Sequence, residues 1–229
     1  MTRIPRTAIS ALILAGGRAQ RMDSCDKGLV EFQDRPMICH AIALLKPQLD
    51  LIRINANRNQ ATYAALGLST EGLLEGSPSE RLPSRSSKGA TPYPALPFEV
   101  ISDSMIDFQA PLAVIAQGLK TCPTPWMLVV PCDTPFLPLD LVERLATQAE
   151  QHKAEIAVAH DGQRMQPVVS LINRELLGSL QHYLDAGDRK IDRWYATHKL
   201  CCVDFSDQPQ AFLNINSLKD MQLLENRPL

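Results

Sequence analysis

The stretch LILAGGRAQRMDSCDKG, residues 12–28, joins a short apolar run to a basic, glycine-rich loop. Gly16 and Gly17 end the apolar run, which is long enough for one strand. Two glycines at this position let backbone N–H groups approach a ligand closely, because no Cβ stands in the way. Three positively charged side chains share the loop: Arg18, Arg21 and Lys27. The stretch therefore predicts a strand followed by a phosphate-binding loop.

The glycine pattern of this loop matches neither of the common nucleotide-binding fingerprints. Both the P-loop, G-x-x-x-x-G-K-[ST], and the dinucleotide pattern, G-x-G-x-x-G, are absent. For the glycine pair alone, a solvated basic loop after a strand is the structural alternative. The three cations and Asp26 favour a polyphosphate ligand over that alternative.

Composition limits the classes of partner. The chain has 229 residues, of which 45% are hydrophobic and 21% charged, as in a globular protein with a substantial core. A net charge of -2 does not suggest nucleic-acid binding, and no apolar run approaches the roughly 18 residues of a membrane span. The six cysteines lack zinc-site spacing, which favours buried thiols in a reducing compartment. We therefore expect a cytoplasmic protein that binds neither nucleic acid nor a membrane.

Apolar runs alternate along the chain with amphipathic segments of helix length. Strands are predicted at 7–14, 51–55, 98–102, 126–130, 154–160, 167–173, 199–205 and 210–215. Helices are predicted at 36–46, 60–66, 111–120, 137–151, 175–186, 191–198 and 218–224. This order predicts an α/β fold with a mostly parallel central sheet and helices on both faces. Residues 67–97 are rich in Ser, Pro and Gly, and we expect a flexible insertion there in a single domain spanning 1–229.

The segment PCDTPF, residues 131–136, directly follows the continuous apolar strand WMLVV. In a sheet of this kind, ligands bind beyond the carboxyl ends of the strands. Asp133 is therefore a candidate ligand for a divalent metal, as in phosphoryl-transfer enzymes. The structural alternative is that Asp133 caps a helix beginning near Pro138.

Three further polar side chains follow apolar runs. Asn216 in NINS can offer an amide oxygen to magnesium, which needs few protein ligands. Asn55 and Asp103 each come at the end of a predicted strand and suit a nucleoside, since a few placed polar groups give specificity. Turn and capping chemistry is the alternative for such residues.

Together these segments resemble the bacterial molybdenum cofactor guanylyltransferases. The family pattern L-A-G-G-x-x-x-R-M-x-x-x-D-K-G is met by LAGGRAQRMDSCDKG at 14–28. Later family segments follow in order: INAN at 54–57, VISDS at 100–104, PCDTPF at 131–136 and FLNIN at 212–216. The match runs nearly end to end, omitting the insertion. The resemblance implies a Rossmann-like nucleotidyltransferase fold.

The resemblance also implies a reaction and a set of partners. The family transfers GMP from GTP to molybdopterin carrying molybdenum, releases pyrophosphate and uses Mg²⁺. Transient contact with other cofactor-biosynthesis proteins and with molybdoenzyme chaperones is a further expectation. The implied roles are guanosine and phosphate contact for Leu14, Ala15, Gly16 and Gly17, phosphate binding for Arg21 and Lys27, nucleoside binding for Asn55 and Asp103, and magnesium ligation for Asp133.

Two departures from the family pattern leave alternatives open. Asp23 and Ser24 replace two glycines, and Val114 replaces the last glycine of a G-P-L-A-G segment. A molybdenum cofactor cytidylyltransferase and a sugar-phosphate nucleotidyltransferase are the nearest alternatives, although cytidylyl relatives tend to read LAAG rather than LAGG. A GTP-binding module without catalysis is the alternative from another class, against which the retained Lys27 and Asp133 argue.

The transfer of GMP to a phosphate group does not require a general base. A phosphate monoester, with a second pKa of about 6, is largely ionised at neutral pH and can attack without one. The sequence shows no evident Ser/His or Cys/His dyad, which agrees with this mechanism. A second substrate could bind past the predicted strand at 154–160, at His160, Asp161, Gly162 and Gln166. The alternative is a hairpin turn at Asp161-Gly162.

Overall fold

A computed structural model describes residues 4–15, 26–68, 98–101 and 111–224. In these residues the strands are β1 (Ile9–Leu14), β2 (Glu31–Phe32), β3 (Arg35–Pro36), β4 (Ile52–Asn55), β5 (Phe98–Ile101), β6 (Trp126–Pro131), β7 (Ile156–His160), β8 (Met165–Asn173) and β9 (Leu200–Asp204). The α-helices are α1 (Met37–Leu45), α2 (Gln60–Leu68), α3 (Pro111–Lys120), α4 (Leu141–Gln151), α5 (Leu177–Asp185), α6 (Ile191–Tyr195) and α7 (Leu218–Leu224).

Seven of these strands form one sheet in the order β5-β4-β1-β6-β8-β7-β9. The pairs β5·β4, β4·β1, β1·β6 and β7·β9 are parallel, whereas β8 is antiparallel to both β6 and β7. Every strand of the sheet except β8 therefore runs in the same direction. The predicted mostly parallel sheet is confirmed.

The central strand β6 shows why helices cover both faces. Its residues Met127, Leu128, Val129 and Val130 are all completely buried, as expected for a strand between two helical layers. Successive side chains point to opposite faces, so Leu128 and Val130 join the core under α1 and α4. Met127 and Val129 join the core formed by α3, α5 and α6. The continuous apolar run thus specifies a three-layer α/β fold.

The carboxyl ends of the parallel strands meet at one edge of the sheet. Leu14, Asn55 and Pro131 end the neighbouring strands β1, β4 and β6, and Leu14 is in register with both of the others. Residues that follow these strands are consequently brought together, although they are distant in sequence. This edge is called the carboxyl edge below.

The prediction of a strand at 210–215 is wrong. Residues 206–212 form successive turns, in which Gln208 N–H donates to Phe205 O and Ala211 N–H donates to Gln208 O. The apolar residues of this segment are buried in two different places, Phe212 in the large core and Ile215 in a small cluster with Phe32. The apolar run therefore reflects burial without a pleated backbone.

Helix and hairpin boundaries differ from the prediction in smaller ways. Pro36 precedes α1 as its N-cap residue rather than serving as its first helical residue. The helix predicted at 60–66 continues to Leu68, two residues into the expected insertion; the rest of that insertion lies outside the described residues. The β2–β3 hairpin was not predicted, because its strands are only two residues long. Among the described helices, none is long and apolar enough to cross a membrane.

His40 of α1 holds the β2–β3 hairpin against the domain. The side chain is 2% exposed, and Nε2–H donates to Phe32 O over 2.7 Å. The Phe32 ring packs edge-on against the imidazole at 5.5 Å between ring centroids. Burial lowers the pKa of His40 below 6.5, and the nearby charge of Arg35 lowers it further, against the raising effect of the Phe32 hydrogen bond. The folded protein therefore favours neutral His40.

Acidification should consequently weaken the fold through His40. Because the unfolded chain takes up the proton at a higher pH than the folded one, the stabilisation is present above pH 6.5 and is lost as the pH falls below it. We expect acidification to lower the free energy of unfolding more steeply in the native protein than in His40→Gln. The difference between the two slopes should be up to about 1.4 kcal/mol per pH unit. Urea unfolding between pH 7 and pH 5 measures this. The control is His182→Gln, which replaces an exposed histidine of α5 and should keep the native pH dependence. The prediction is contradicted if the free energy of unfolding falls equally steeply with pH in the native protein and in His40→Gln.

Candidate active site

Three residues from distant parts of the chain meet at the carboxyl edge. Lys27 Nζ donates to Asn216 Oδ1 over 2.6 Å and lies 3.2 Å from Asp133 Oδ2, in a salt bridge. The side chains of Lys27 and Asp133 are only 20% and 12% exposed. These three residues are called the Lys27 cluster. Partial burial strengthens the attraction between the charges, and the Asn216 amide oxygen supplies the additional hydrogen bond that such a pair requires.

Asp133 is held by the turn that follows β6. Cys132 N–H donates to Leu14 O over 3.1 Å, so the chain stays beside β1 after the strand ends. The backbone oxygen of Asp133 accepts the N–H of Ile215 over 2.9 Å, which ties this turn to the segment containing Asn216. Burial of Cys132, together with the negative charge of Asp133, raises the pKa of the thiol. Cys132 therefore contributes an uncharged, space-filling group beneath the cluster.

The capping alternative for Asp133 is wrong. The next helix, α4, begins at Leu141 with Asp140 as its N-cap residue. Asp133 lies well before that helix, and its carboxylate faces Lys27. The prediction that Asp133 lies beyond the carboxyl end of a buried strand is confirmed by its position after β6.

Asn216 is placed by the beginning of α7. Asp220 Oδ2 accepts the backbone N–H of Asn216 over 3.0 Å, and the backbone N–H of Asp220 donates to Ser217 Oγ over 3.2 Å. This arrangement makes Ser217 the N-cap of α7. Hydrogen bonding with Ser217 and with the backbone of Asn216 lowers the pKa of Asp220, so the carboxylate remains a charged acceptor. The helix cap therefore fixes the backbone from which the Asn216 amide reaches Lys27.

A second group of residues fixes the backbone at Lys27, and two of its members, Tyr63 and Asn59, were not predicted from the sequence. Asp26 is 7% exposed and is the N-cap of the 3₁₀ turn Lys27–Leu29. Its carboxylate accepts the Tyr63 hydroxyl over 2.5 Å, the Asn59 side-chain amide over 3.2 Å and the Gly28 N–H over 3.3 Å. These four residues are called the Asp26 cluster. Tyr63 and Asn59 carry no local signal of this contact, because the helix segment at Tyr63 reads as ordinary amphipathic sequence.

The other predicted nucleotide-binding residues are only partly covered by the structure. Leu14 and Ala15 lie at the end of β1, and Ala15 N–H donates to Asn55 O over 2.9 Å. Asn55 ends β4 beside them and is 1% exposed. Val114, where the family pattern has glycine, lies half-buried in the first turn of α3. The remaining predicted site residues and departures lie outside the described residues: Gly16, Gly17, Arg18, Arg21, Asp23, Ser24 and Asp103.

The Lys27 cluster fits a magnesium ion. Asp133 Oδ2 and Asn216 Oδ1 already converge on one positive charge, the ammonium of Lys27. Carboxylate and amide oxygens are the ligands that Mg²⁺ prefers, and one or two of them suffice when phosphates and waters complete the shell. The described residues contain no group of three or more His, Cys, Asp or Glu side chains able to hold a metal. A metal shared with a substrate fits this donor set better than a permanently bound one.

The His160–Gln166 segment forms the hairpin turn between β7 and β8. Gly162 has a φ of 92°, a left-handed conformation that glycine adopts without strain. Asp161 accepts hydrogen bonds from the backbone N–H groups of Arg164 and Gln163 and from the Gln166 side chain. Burial raises the pKa of Asp161, but these hydrogen bonds together lower it. The turn lies at the carboxyl edge, two strands from β6. Acceptor binding at this turn stays a prediction.

The structure contains a Ser/His pair that the sequence did not indicate. Ser179 Oγ and His198 Nε2 are 2.9 Å apart, and His198 Nδ1 lies 3.7 Å from Glu155. Glu155 and His198 precede β7 and β9, at the edge of the sheet opposite to the Lys27 cluster. The Trp194 indole N–H also donates to Ser179 Oγ. The pair links α5 to the turn that follows α6 and is too remote to serve as a base at the carboxyl edge.

Comparisons with known proteins agree with this geometry. The family model described as MobA-like NTP transferase domain matches residues 11–201. The molybdenum cofactor guanylyltransferase of Shewanella sediminis is 46% identical over 216 residues, which cover 94% of this chain and 95% of the relative. The enzyme of the same description from Shewanella woodyi is 45% identical with the same coverage.

Solved structures share the fold at lower identity. Molybdopterin-guanine dinucleotide biosynthesis protein A from Archaeoglobus fulgidus superposes with a TM-score of 0.68 at 16% identity, covering 94% of this chain and 96% of that one. A nucleotidyl transferase from Methanothermobacter superposes with a TM-score of 0.66 at 18% identity, covering 96% of each chain. At such identities the likeness concerns the fold alone. The match to the family model and the closely related sequences show that this chain belongs to the molybdenum cofactor guanylyltransferases, a family of nucleotidyltransferases.

Proposed function

We propose that this protein transfers GMP from GTP to the terminal phosphate of molybdenum-loaded molybdopterin and releases pyrophosphate. The observation that carries the proposal is the Lys27 cluster. In a chain of this family, an ammonium, a carboxylate and an amide converge at the carboxyl edge, where nucleotides bind in open α/β sheets. Its 46% identity to the Shewanella sediminis guanylyltransferase supports GTP as the nucleotide.

The transfer joins two anions, so positioning and charge neutralisation carry the catalysis. The acceptor phosphate, with a second pKa of about 6, attacks the α-phosphorus of GTP without a general base. The bond to the β-phosphate breaks, and pyrophosphate leaves with that bonding electron pair. Lys27, together with Arg21, binds the phosphates and stabilises the negative charge that develops in the transition state.

Asp133 and Asn216 hold Mg²⁺ in this proposal. When bound, the metal neutralises charge on the phosphates of GTP. The Lys27 ammonium contacts both oxygens in this structure and would be released to face the nucleotide if they held the metal. Lys27 thereby keeps the carboxylate paired before the substrates bind, which avoids leaving a partly buried charge alone.

The nucleoside and the acceptor are assigned to opposite sides of this cluster. The residues that we assign to nucleotide contact are Leu14, Ala15, Gly16, Gly17, Asn55 and Asp103. The turn containing His160 and Asp161, two strands to the other side of β6, is the candidate for acceptor contact. We place the enzyme in the cytoplasm, where it would meet other cofactor-biosynthesis proteins and the chaperones of molybdoenzymes.

A nucleotide comparison tests the proposed reaction. We expect pyrophosphate release from GTP in the presence of Mg²⁺ and molybdenum-loaded molybdopterin to exceed release from CTP or ATP by about 100-fold in kcat/KM. Sites that hydrogen-bond a base discriminate by that order or more. Preference for CTP would indicate the cytidylyltransferase alternative. Tight GTP binding without product would indicate the non-catalytic module.

Substitutions in the Lys27 cluster test the assigned roles. Asp133→Asn should abolish measurable turnover, and Lys27→Ala should lower kcat/KM by about 100- to 1,000-fold, as expected for loss of charge stabilisation in a transition state. Asp50→Asn is the matched control, because Asp50 is an exposed aspartate paired with Arg6 at the opposite edge of the sheet. Circular dichroism should show folded protein in all three variants. Activity of Asp133→Asn or Lys27→Ala within a fewfold of the native value would contradict the roles.

Metal binding without nucleotide gives a separate prediction. Removing the ammonium that faces Asp133 and Asn216 frees both oxygens and removes its repulsion of a cation. Lys27→Gln should therefore raise the affinity of the nucleotide-free protein for Mn²⁺ by about tenfold, whereas Asp133→Asn should lower it. Titration followed by the electron paramagnetic resonance of free Mn²⁺ measures both. An unchanged or weaker affinity in Lys27→Gln would contradict the assignment of the metal to this cluster.

A further inference from the structure

We infer that Tyr63 is a positioning residue for Lys27, acting through the carboxylate of Asp26. This inference rests on the role of Lys27 in the proposed function and assigns a task to a residue outside the family motif. Lys27 contacts Asp133 and Asn216 through its ammonium, and the backbone from which it extends is held by the Asp26 cluster. Lys27 is thus fixed at both ends.

The Tyr63 hydroxyl is a rigid donor. Tyr63 is completely buried, and its ring packs in the large core beneath the sheet. The hydroxyl donates to Asp26 Oδ1 over 2.5 Å, the shortest of the three hydrogen bonds described for that carboxylate. Burial, followed by the hydrogen bond and charge of Asp26, raises the pKa of Tyr63, so the hydroxyl keeps its proton. A packed ring cannot follow Asp26 if the turn shifts, so the bond specifies one position.

Gly28 is matched to this contact. A Cβ at position 28 would overlap the Tyr63 hydroxyl, and the side chain that would have to move is fully buried. The glycine that follows Lys27 therefore permits the approach of the tyrosine to the turn. Its N–H also donates to Asp26 Oδ1, so the same carboxylate oxygen receives both groups. The chain thus pairs a glycine with a tyrosine that is 35 positions later in the sequence.

The Asp26 cluster and the Lys27 cluster are connected through consecutive residues. Asp26 faces Tyr63 of α2, whereas Lys27 faces the turn after β6 and the segment before α7. Loss of the hydroxyl lets Asp26 and the 3₁₀ turn relax, and the ammonium at the end of a long, flexible side chain amplifies the change. Loss of a phenol elsewhere in the core has no such path to the ammonium.

The test compares Tyr63→Phe with Tyr195→Phe. Tyr195 is the matched control, because it is also completely buried and its hydroxyl donates to Pro167 O over 2.9 Å in the other core layer. Both variants keep the aromatic ring and lose buried hydrogen bonding, and Tyr195→Phe also loses the contact with Ser170 Oγ at 2.7 Å, so both should lower the melting temperature. Only Tyr63→Phe should alter Lys27.

The first readout needs no substrate. Competitive acetylation of the nucleotide-free protein, followed by peptide mass spectrometry, measures the reactivity of the Lys27 amine. We expect Lys27 to react about fivefold faster in Tyr63→Phe than in the native protein, as for a group released from one or two hydrogen bonds. In Tyr195→Phe the rate should stay native. Equal Lys27 reactivity in the two variants would overturn the inference.

The second readout is a double-mutant cycle on turnover. We expect Tyr63→Phe to lower kcat about tenfold in the native background, and less than about twofold in the Lys27→Ala background, because the hydroxyl acts through Lys27. Equal losses in both backgrounds would show that Tyr63 acts on general stability and would overturn the inference. If the native enzyme fails to use GTP, the proposed function fails instead, and the acetylation readout still decides the position of Lys27.

Discussion

The salt bridge between Lys27 and Asp133, joined by Asn216, is the interaction on which the site depends. It connects the 3₁₀ turn Lys27–Leu29, the turn after β6 and the segment before α7. The hydrogen bond from Ile215 N–H to Asp133 O brings the segment that contains Asn216 beside the end of β6. The arrangement also solves an electrostatic problem. A carboxylate suited to a metal must stay charged and partly buried before the metal arrives, and the ammonium supplies a partner during that time.

The rest of the fold serves to place these three groups. The buried strand β6 delivers Asp133, the cap of α7 holds the backbone of Asn216, and the Asp26 cluster holds the turn that carries Lys27. Each support is a short hydrogen-bonded element attached to a rigid helix or strand. This arrangement is typical of nucleotide-binding α/β sheets, in which loops hold the functional residues and the strands of the sheet position those loops.

Much of this architecture could be predicted from the sequence. The apolar run of β6 indicates a strand covered by helices on both faces, and the apolar segments that precede Asp133 and Asn216 indicate both residues as site candidates. The prediction of a strand failed at 210–215, where apolar residues are buried without forming a strand. Their side chains enter two different clusters. Tyr63 and the pair of Ser179 with His198 could not be found, because their partners are distant in sequence and their own surroundings are unremarkable.

The order of the three groups along the chain has a consequence for the way the site is completed during synthesis. Lys27 and Asp133 belong to the part of the chain made first, whereas Asn216 is followed within the described residues only by α7. Domains generally fold as units during synthesis. The Lys27 cluster is therefore completed only when α7 has been made and its cap holds the backbone of Asn216. Full affinity of the site for a cation then reports that α7 has docked.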